Sequence, residues 1–371
     1  MIYLDNAATT KMLEGAVDVY AKYACQSFFN PSAGYNKAIN IAKDLERVRN
    51  TILNKLGAKG NIIFTSGATE SNNLAIFGSK RNGKWEYVFS EGEHPSVYNV
   101  AKELESQGFI VHFIGLKKDG QIDYEQLESV LNEKTRLIST MHVSNETGAI
   151  NDLHLIDKIR QKKCPKALLH IDGVQAFCKL EYNITDYNID LYTISGHKFC
   201  GPKGVGALFV KNISSLKNTV FGGGQEGGYR SGTENVPAIM AMGYAIEHYN
   251  TKENYSKVES LKEAFLAEIR KEDKIDTIEG DSPYIVGLNL KGVNGETIMR
   301  ALQDEDILVG IGSACSTKKA GNRVLNSIGY NLNEIKSHIR ISFIADLTID
   351  EVKFAGKKIV EIYNRIWENV K

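Results

Sequence analysis

The stretch Ser195-Gly196-His197-Lys198-Phe199-Cys200-Gly201-Pro202-Lys203-Gly204-Val205-Gly206 stands between two short apolar runs, Asp190 to Ile194 before it and Ala207-Leu208-Phe209-Val210 after it. The first run has the length and composition of a buried strand. Lys198 is wedged between a hydroxyl, an imidazole and a cluster of glycines. The glycines let backbone turn tightly and approach a ligand, while Ser195 and His197 can donate to an anion beside the amine. Such a setting suits an amine that bonds a phosphorylated aldehyde cofactor. The plainer alternative is a solvated lysine in a turn.

Working outward, short strands alternate with helices. Strands are predicted at Asn61–Thr65, Glu86–Ser90, Phe109–Ile114, Arg136–Val143, Ala167–Ile171 and Asp190–Ile194, with helices near Ser71–Ser79, Ser96–Ser106, Tyr124–Leu131 and Leu153–Lys162. This alternation predicts an α/β fold with a mostly parallel sheet covered by helices on both faces. Upstream, Leu13 to Ala24 reads as helical, and Ile41, Leu45, Val48, Ile52 and Leu56 recur at helical spacing as a core-facing stripe. After the glycine-rich Phe221–Thr233 come helices at Val236–Tyr249 and Ser256–Arg270. The tail reads as α+β, with strands at Tyr284–Leu290 and Ile339–Phe343 and helices at Glu296–Gln303 and Ile349–Trp367. In that last helix Val352, Ala355, Ile359, Ile362 and Ile366 form the expected buried stripe.

With 371 residues the chain suits one large and one smaller domain. Its 45 basic and 45 acidic residues cancel, so no direct nucleic-acid partner is expected. No apolar run approaches membrane-spanning length, and the N-terminus lacks a charged region followed by an apolar core. A cytoplasmic protein is expected. The five cysteines are scattered without a Cys-x-x-Cys pair, which argues against a disulfide framework and a structural metal site.

In a parallel α/β sheet, ligands sit beyond the carboxyl ends of the strands. After the first predicted strand comes Ser66-Gly67-Ala68-Thr69-Glu70-Ser71-Asn72, whose glycine turn and helix start offer a phosphate cradle. A plain N-cap by Ser66 or Thr69 is the alternative. His94, at the entrance of the helix opened by Pro95, can stack on a flat ring or shuttle protons, or simply cap the helix. Later strands lead to Ser144-Asn145-Glu146-Thr147-Gly148 and to Asp172-Gly173-Val174-Gln175. A carboxylate such as Asp172 at the end of an apolar strand needs a partner, either a pyridinium N–H or a helix N-terminus. Arg340, in an otherwise apolar strand, can grip a carboxylate bidentately or make a salt bridge within the small domain. Cys25, Cys164, Cys178 and Cys200 read as buried, inert thiols. Cys315 differs, because its glycine- and serine-rich surroundings carry Lys318 and Lys319, and cationic neighbours favour the thiolate.

Over essentially its whole length the chain resembles the cysteine desulfurases of the class V aminotransferase family, pyridoxal-phosphate enzymes of fold type I. The resemblance is carried by Tyr3-Leu4-Asp5-Asn6-Ala7-Ala8-Thr9-Thr10, Ser66–Asn72, Ser195-Gly196-His197-Lys198, Arg230-Ser231-Gly232-Thr233 and Gly312-Ser313-Ala314-Cys315. It implies a large domain, residues 13–252, built on a seven-stranded type of sheet. Residues 1–12 and 253–371 would form a small α+β domain with the Cys315 loop. It implies that Lys198 holds pyridoxal 5'-phosphate covalently, that Asp172 pairs with the ring nitrogen, that His94 stacks on the ring and that Gln175 bonds the phenolic oxygen. The phosphate would be held by Ala68, Thr69, Ser195 and His197, joined by Thr233 from the second subunit of a homodimer. Asn145 and Arg340 would grip the substrate carboxylate. Lys198, His94 and Cys315 would convert L-cysteine to L-alanine, leaving a persulfide on Cys315 for a sulfur-acceptor protein. Gly310-Ile311 and Ser316-Thr317 replace the family's usual serine and threonine pairs around that motif, Gly227 stands where arginine is common, and Tyr35 where histidine often follows the Asn-Pro-Ser loop. None of these removes a catalytic group. The acceptor stays open between an iron–sulfur scaffold, tRNA thiolation and cofactor maturation. Other readings are an aminotransferase or selenocysteine lyase on the same fold, or a non-catalytic sulfur-network scaffold. A nicotinamide enzyme is disfavoured because no Gly-x-Gly-x-x-Gly follows the first strand.

Overall fold

Runs of apolar residues with no polar alternation form strands covered on both faces, and three such runs, Leu168–Asp172, Leu191–Ser195 and Gly206–Val210, are buried at every position. The computed structural model describes residues 1–311 and 322–370. In chain order its strands are β1 (Ile2–Leu4), β2 (Asn61–Thr65), β3 (Glu86–Ser90), β4 (Ile110–Ile114), β5 (Thr135–Met141), β6 (Leu168–Asp172), β7 (Leu191–Ser195), β8 (Gly206–Val210), β9 (Ile275–Ile278), β10 (Ile285–Leu290), β11 (Ile307–Val309) and β12 (His338–Ser342).

Seven of them form one sheet in the order β2-β8-β7-β6-β5-β3-β4. Only β8 opposes its neighbours, pairing antiparallel with both β2 and β7. The β3–β4, β3–β5, β5–β6 and β6–β7 pairs are all parallel. The sheet is therefore mostly parallel, as the alternation of elements predicts. Because β8 runs backwards, its amino end at Gly206 lies at the same edge as the carboxyl ends of the other strands.

The helix Asn36–Leu56 buries Ile41, Leu45, Val48, Ile52 and Leu56, the expected stripe, and ends on Gly57 in the left-handed region at φ 62°. The helix Ala68–Gly78 starts three residues earlier than its periodicity suggests, at the glycine turn. A second core forms where Leu4, Val258, Phe265, Leu288, Ile339 and Val352 meet. It lies between the three-stranded antiparallel sheet β12-β10-β9, the parallel pair β1–β11 and the helices Thr251–Ile269 and Ile349–Val370. In the last helix Tyr363 is fully buried and Ile366 only partly, so the apolar stripe turns toward the tyrosine at its end. Cys164, Cys178 and Cys200 are buried as expected, but Cys25 is exposed because it ends the helix Glu14–Cys25 at the surface. No helix among the described residues is long and apolar enough to cross a membrane.

Glu226 ties the glycine-rich segment to the sheet edge. Its carboxylate accepts two guanidinium bonds from Arg49, both 2.8 Å, and the Phe64 N–H of β2 at 2.8 Å. The Glu226 side chain is 1% exposed and that of Arg49 17%. Without Glu226, Arg49 keeps only the exposed carboxylate of Glu46 and the Ile62 carbonyl, and the Phe64 N–H loses its acceptor. Glu226→Ala is expected to lower stability by on the order of 3 kcal/mol, seen as a fall in the urea midpoint at unchanged slope.

Candidate active site

The strand ends of the large sheet open into one cavity of about 750 Å³. Ala68, Thr69, His94, Asn145, Asp172, Gln175, Ser195, His197, Lys198 and Arg340 all line it, joined by Ala7, Ala8 and Thr9 from the N-terminal segment. The expected residues thus meet from five strand ends and from β12, with two exceptions. Thr233 lines a separate small cleft beside Ser66, Gly204 and Glu226. Cys315 lies outside the described residues.

Gly67 is the N-cap of the helix Ala68–Gly78, at φ 150°, and no side chain caps it. The plain N-cap by Ser66 or Thr69 is therefore not realised, and Gly67, Ala68 and Thr69 line the cavity at the positive end of the helix. Close backbone packing shapes this cradle: a Cβ at Gly206 would sit 2.8 Å from Gly67 Cα. A Cβ at Gly67 itself would lie 4.0 Å from Ser195 Oγ, which places that hydroxyl opposite the turn.

Asp172 ends β6 and is 2% exposed. Asn72 Nδ2 donates to its Oδ2 at 2.9 Å and the Val174 N–H to its Oδ1 at 3.1 Å. Asn72 also donates to Ser96 Oγ at 2.9 Å, and Ser96 Oγ lies 2.8 Å from His94 Nδ1. The Ser96 N–H reaches the same Nδ1 at 3.1 Å. Nδ1 is therefore an acceptor, and a neutral His94 carries its proton on Nε2. Burial pushes the His94 pKa down, opposed by the charge of Asp172. His94 caps its helix, as the simpler alternative has it, and also lines the cavity.

Lys198 sits just past β7, and its Nζ donates to the carbonyl oxygens of Ala7 at 2.5 Å and Ala8 at 2.8 Å. Burial, then the Arg340 charge, lower its pKa to about 8. His197 is held down to about 4 by burial and by Lys198, with Nδ1 3.1 Å from Thr9 Oγ1. The N-terminal segment is laced over this turn: the Thr10 N–H donates to His197 O at 2.9 Å, and the Cys200 N–H to Thr10 Oγ1 at 2.8 Å. Gln175 donates from Nε2 to Ala7 O at 2.9 Å.

Arg340 donates from Nη2 to Asp5 Oδ1 at 2.8 Å and from Nη1 to Asn145 O at 3.0 Å, with Glu146 Oε1 3.7 Å from Nη1. Its Nε is buried without a partner among the described residues. The salt bridge to Asp5 and a place in the cavity wall are thus both realised. Sequence reasoning gave no separate role to Asn72, Ser96, Glu146 or the carbonyls of Ala7 and Ala8. Of these only Asn72 carried a signal, since an amide one turn inside a phosphate-type cradle faces the same way as the cradle's hydroxyls.

The Aminotransferase class-V family model matches residues 2–354. A cysteine desulfurase of Nostoc sp. is 34% identical over 97% of this chain and 93% of its own length. The cysteine desulfurase IscS of Rickettsia bellii is 36% identical over 98% of this chain and 92% of its own. Among solved structures, a NifS-like protein superposes with a TM-score of 0.92 at 28% identity, covering 98% of this chain and 99% of that one. SspA, solved in complex with cysteine, superposes with a TM-score of 0.82 at 33% identity, covering 92% and 99%. Fold, cavity and full-length similarity agree: the chain belongs to the class V aminotransferase family, among its cysteine desulfurases.

Proposed function

We propose that this protein is a pyridoxal-phosphate-dependent cysteine desulfurase that converts L-cysteine to L-alanine and carries the released sulfur as a persulfide on Cys315. The observation that carries the reading is the meeting of the Lys198 amine and the Asp172 carboxylate in one cavity with an uncapped helix start. The residues fit the cofactor. The Gly67–Thr69 backbone, Ser195 and His197 suit a phosphate, Asp172 suits a pyridinium N–H, and Lys198 suits an aldehyde carbon.

Bound there, pyridoxal phosphate supplies an electron sink that acidifies the substrate Cα proton and labilises the bond to sulfur. Lys198, its pKa lowered to about 8, gives up its proton more readily than an ordinary lysine and, as the free amine, takes the Cα proton. Asp172, held by Asn72 and Val174, would accept the N–H of the ring nitrogen. Arg340 and Asn145 orient the substrate carboxylate. The Cys315 thiolate attacks the substrate sulfur: an S–S bond forms, the C–S bond breaks, and carbon keeps the electron pair and is protonated on the way to alanine. Residues 13–252 act as the cofactor-binding domain, and residues 1–12 with 253–371 as the smaller one. Thr233, outside the cavity of its own chain, serves the phosphate of the second subunit in a homodimer. The enzyme works in the cytoplasm and hands its sulfur to an acceptor protein for iron–sulfur clusters or thiolation chemistry.

Three results test this. In protein stripped of cofactor, burial disfavours the Lys198 ammonium, so its free base appears as pH rises through about 8 instead of near 10.5. Labelling by an amine-directed reagent, read by peptide mass spectrometry, is expected to show that lower midpoint at Lys198. After incubation with L-cysteine and without reductant, an adduct of about 32 Da is expected on the Cys315 peptide. Cys315→Ala is expected to lose both the adduct and alanine production, whereas alanine formation at the wild-type rate would favour the selenocysteine-lyase reading.

A further inference from the structure

Behind the cavity wall lies a buried amine for which the reaction above has no use. Lys179 follows β6 in the segment that carries Asp172 and Gln175, and it is only 4% exposed. Its Nζ donates to Gln175 Oε1 at 2.9 Å and stands 5.4 Å from the centre of the Tyr284 ring. Among the described residues no carboxylate lies within ion-pairing distance of it. The groups facing it are the cations Lys198 and Arg340 and the thiols Cys178 and Cys200. A lysine buried among cations is costly, and a methionine would fill the same volume without that cost.

We propose that Lys179 is a positioning residue that fixes the amide of Gln175, so that its NH2 group is presented to the cavity for the phenolic oxygen of the cofactor. This deepens the reading above and rests on it. An ammonium has three protons and no acceptor lone pair, so the amide oxygen must face Lys179 and the amide nitrogen must face the other way. On that other side Nε2 donates to Ala7 O at 2.9 Å, the carbonyl that also accepts from Lys198 Nζ at 2.5 Å. One carbonyl oxygen thus joins the Gln175 amide to the amine of Lys198. Without Lys179 only the Ala7 carbonyl, which Lys198 also uses, holds the amide, and an amide that turned would set its oxygen against a phenolic oxygen that carries negative charge. Burial first and Lys198 second draw the Lys179 pKa down to about 7. A neutral amine can accept as well as donate, so the enforced orientation holds on the acid side and relaxes as pH rises.

The test uses the loaded, full-length enzyme with Lys179→Met and Lys179→Arg, reading the pH titration of the visible cofactor band, the cofactor dissociation constant and the melting temperature. Lys179→Met removes a nearby cation and the fixed donor, so the band's pH midpoint is expected to rise by about 0.5 to 1 unit. Cofactor binding is expected to weaken about ten-fold. Lys179→Arg is expected to stay within about two-fold of wild type, because it keeps a donor-only cation. A Lys179→Met enzyme with the wild-type midpoint and affinity overturns the proposal, even if its melting temperature falls. Should that variant not fold, Lys179→Gln, which can offer Gln175 either a donor or an acceptor, is read by the same two measures. A wild-type enzyme with no visible band would instead sink the reading of Lys198, and this proposal with it.

Discussion

A primary amine held in low dielectric, with carbonyl oxygens as its hydrogen-bond acceptors, is the constraint around which this molecule is built. Lys198 donates to Ala7 and Ala8 and pairs with no carboxylate within ion-pairing distance among the described residues. Carbonyl acceptors orient an amine without stabilising its charge as a carboxylate would, and burial therefore decides the direction of its pKa. The N-terminal segment must for that reason lie across the large sheet's edge. Its hold there is mutual: Thr10 bonds the His197 carbonyl and the Cys200 N–H, and the Leu13 N–H reaches Cys200 O.

The reversed strand β8 is what lets this edge be crowded. Parallel strands deliver their loops to one edge, and an antiparallel strand inserted between β2 and β7 adds its amino end there too. The loop Phe199–Val205 returns directly from β7 into β8, so the Lys198 turn and the Gly67 cradle are brought together across a single strand. Gly206 makes this possible, since a side chain at that position would collide with Gly67 and with Ile194 O, 2.7 Å from its Cβ.

Much of this was legible because it is local. The alternating apolar runs and the stripe from Ile41 to Leu56 are short-range patterns, and the structure follows them to within a few residues. Polar residues just past strand ends carried most of the site for the same reason. What periodicity could not reveal is long-range pairing. The three-residue strands β1 and β11 exist through Ile2–Ile307 and Leu4–Val309 partnership across three hundred residues, and neither run is long enough to read as a strand by itself. Lys179 shows the other limit. A lysine between Cys178 and Leu180 looks like an ordinary surface residue, and its burial is decided by helices and strands far along the chain.

The same long-range logic links the two halves of the site. Gly310 and Arg340 exchange backbone hydrogen bonds of 3.0 and 2.7 Å, and a Cβ at Gly310 would sit 2.5 Å from Asp5 Oδ1 and 3.2 Å from Arg340 Nη2. On the far side of residues 312–321, Asn322 donates to Glu146 Oε2 at 3.0 Å, and the other oxygen of Glu146 lies 3.7 Å from Arg340 Nη1. The described residues on both sides of 312–321 are therefore tied to Arg340, Gly310 through its backbone and Asn322 through Glu146 beside its guanidinium. Asp5 and Glu146 thus balance Arg340 from two sides and join it, through Gly310 and Asn322, to the residues that flank 312–321.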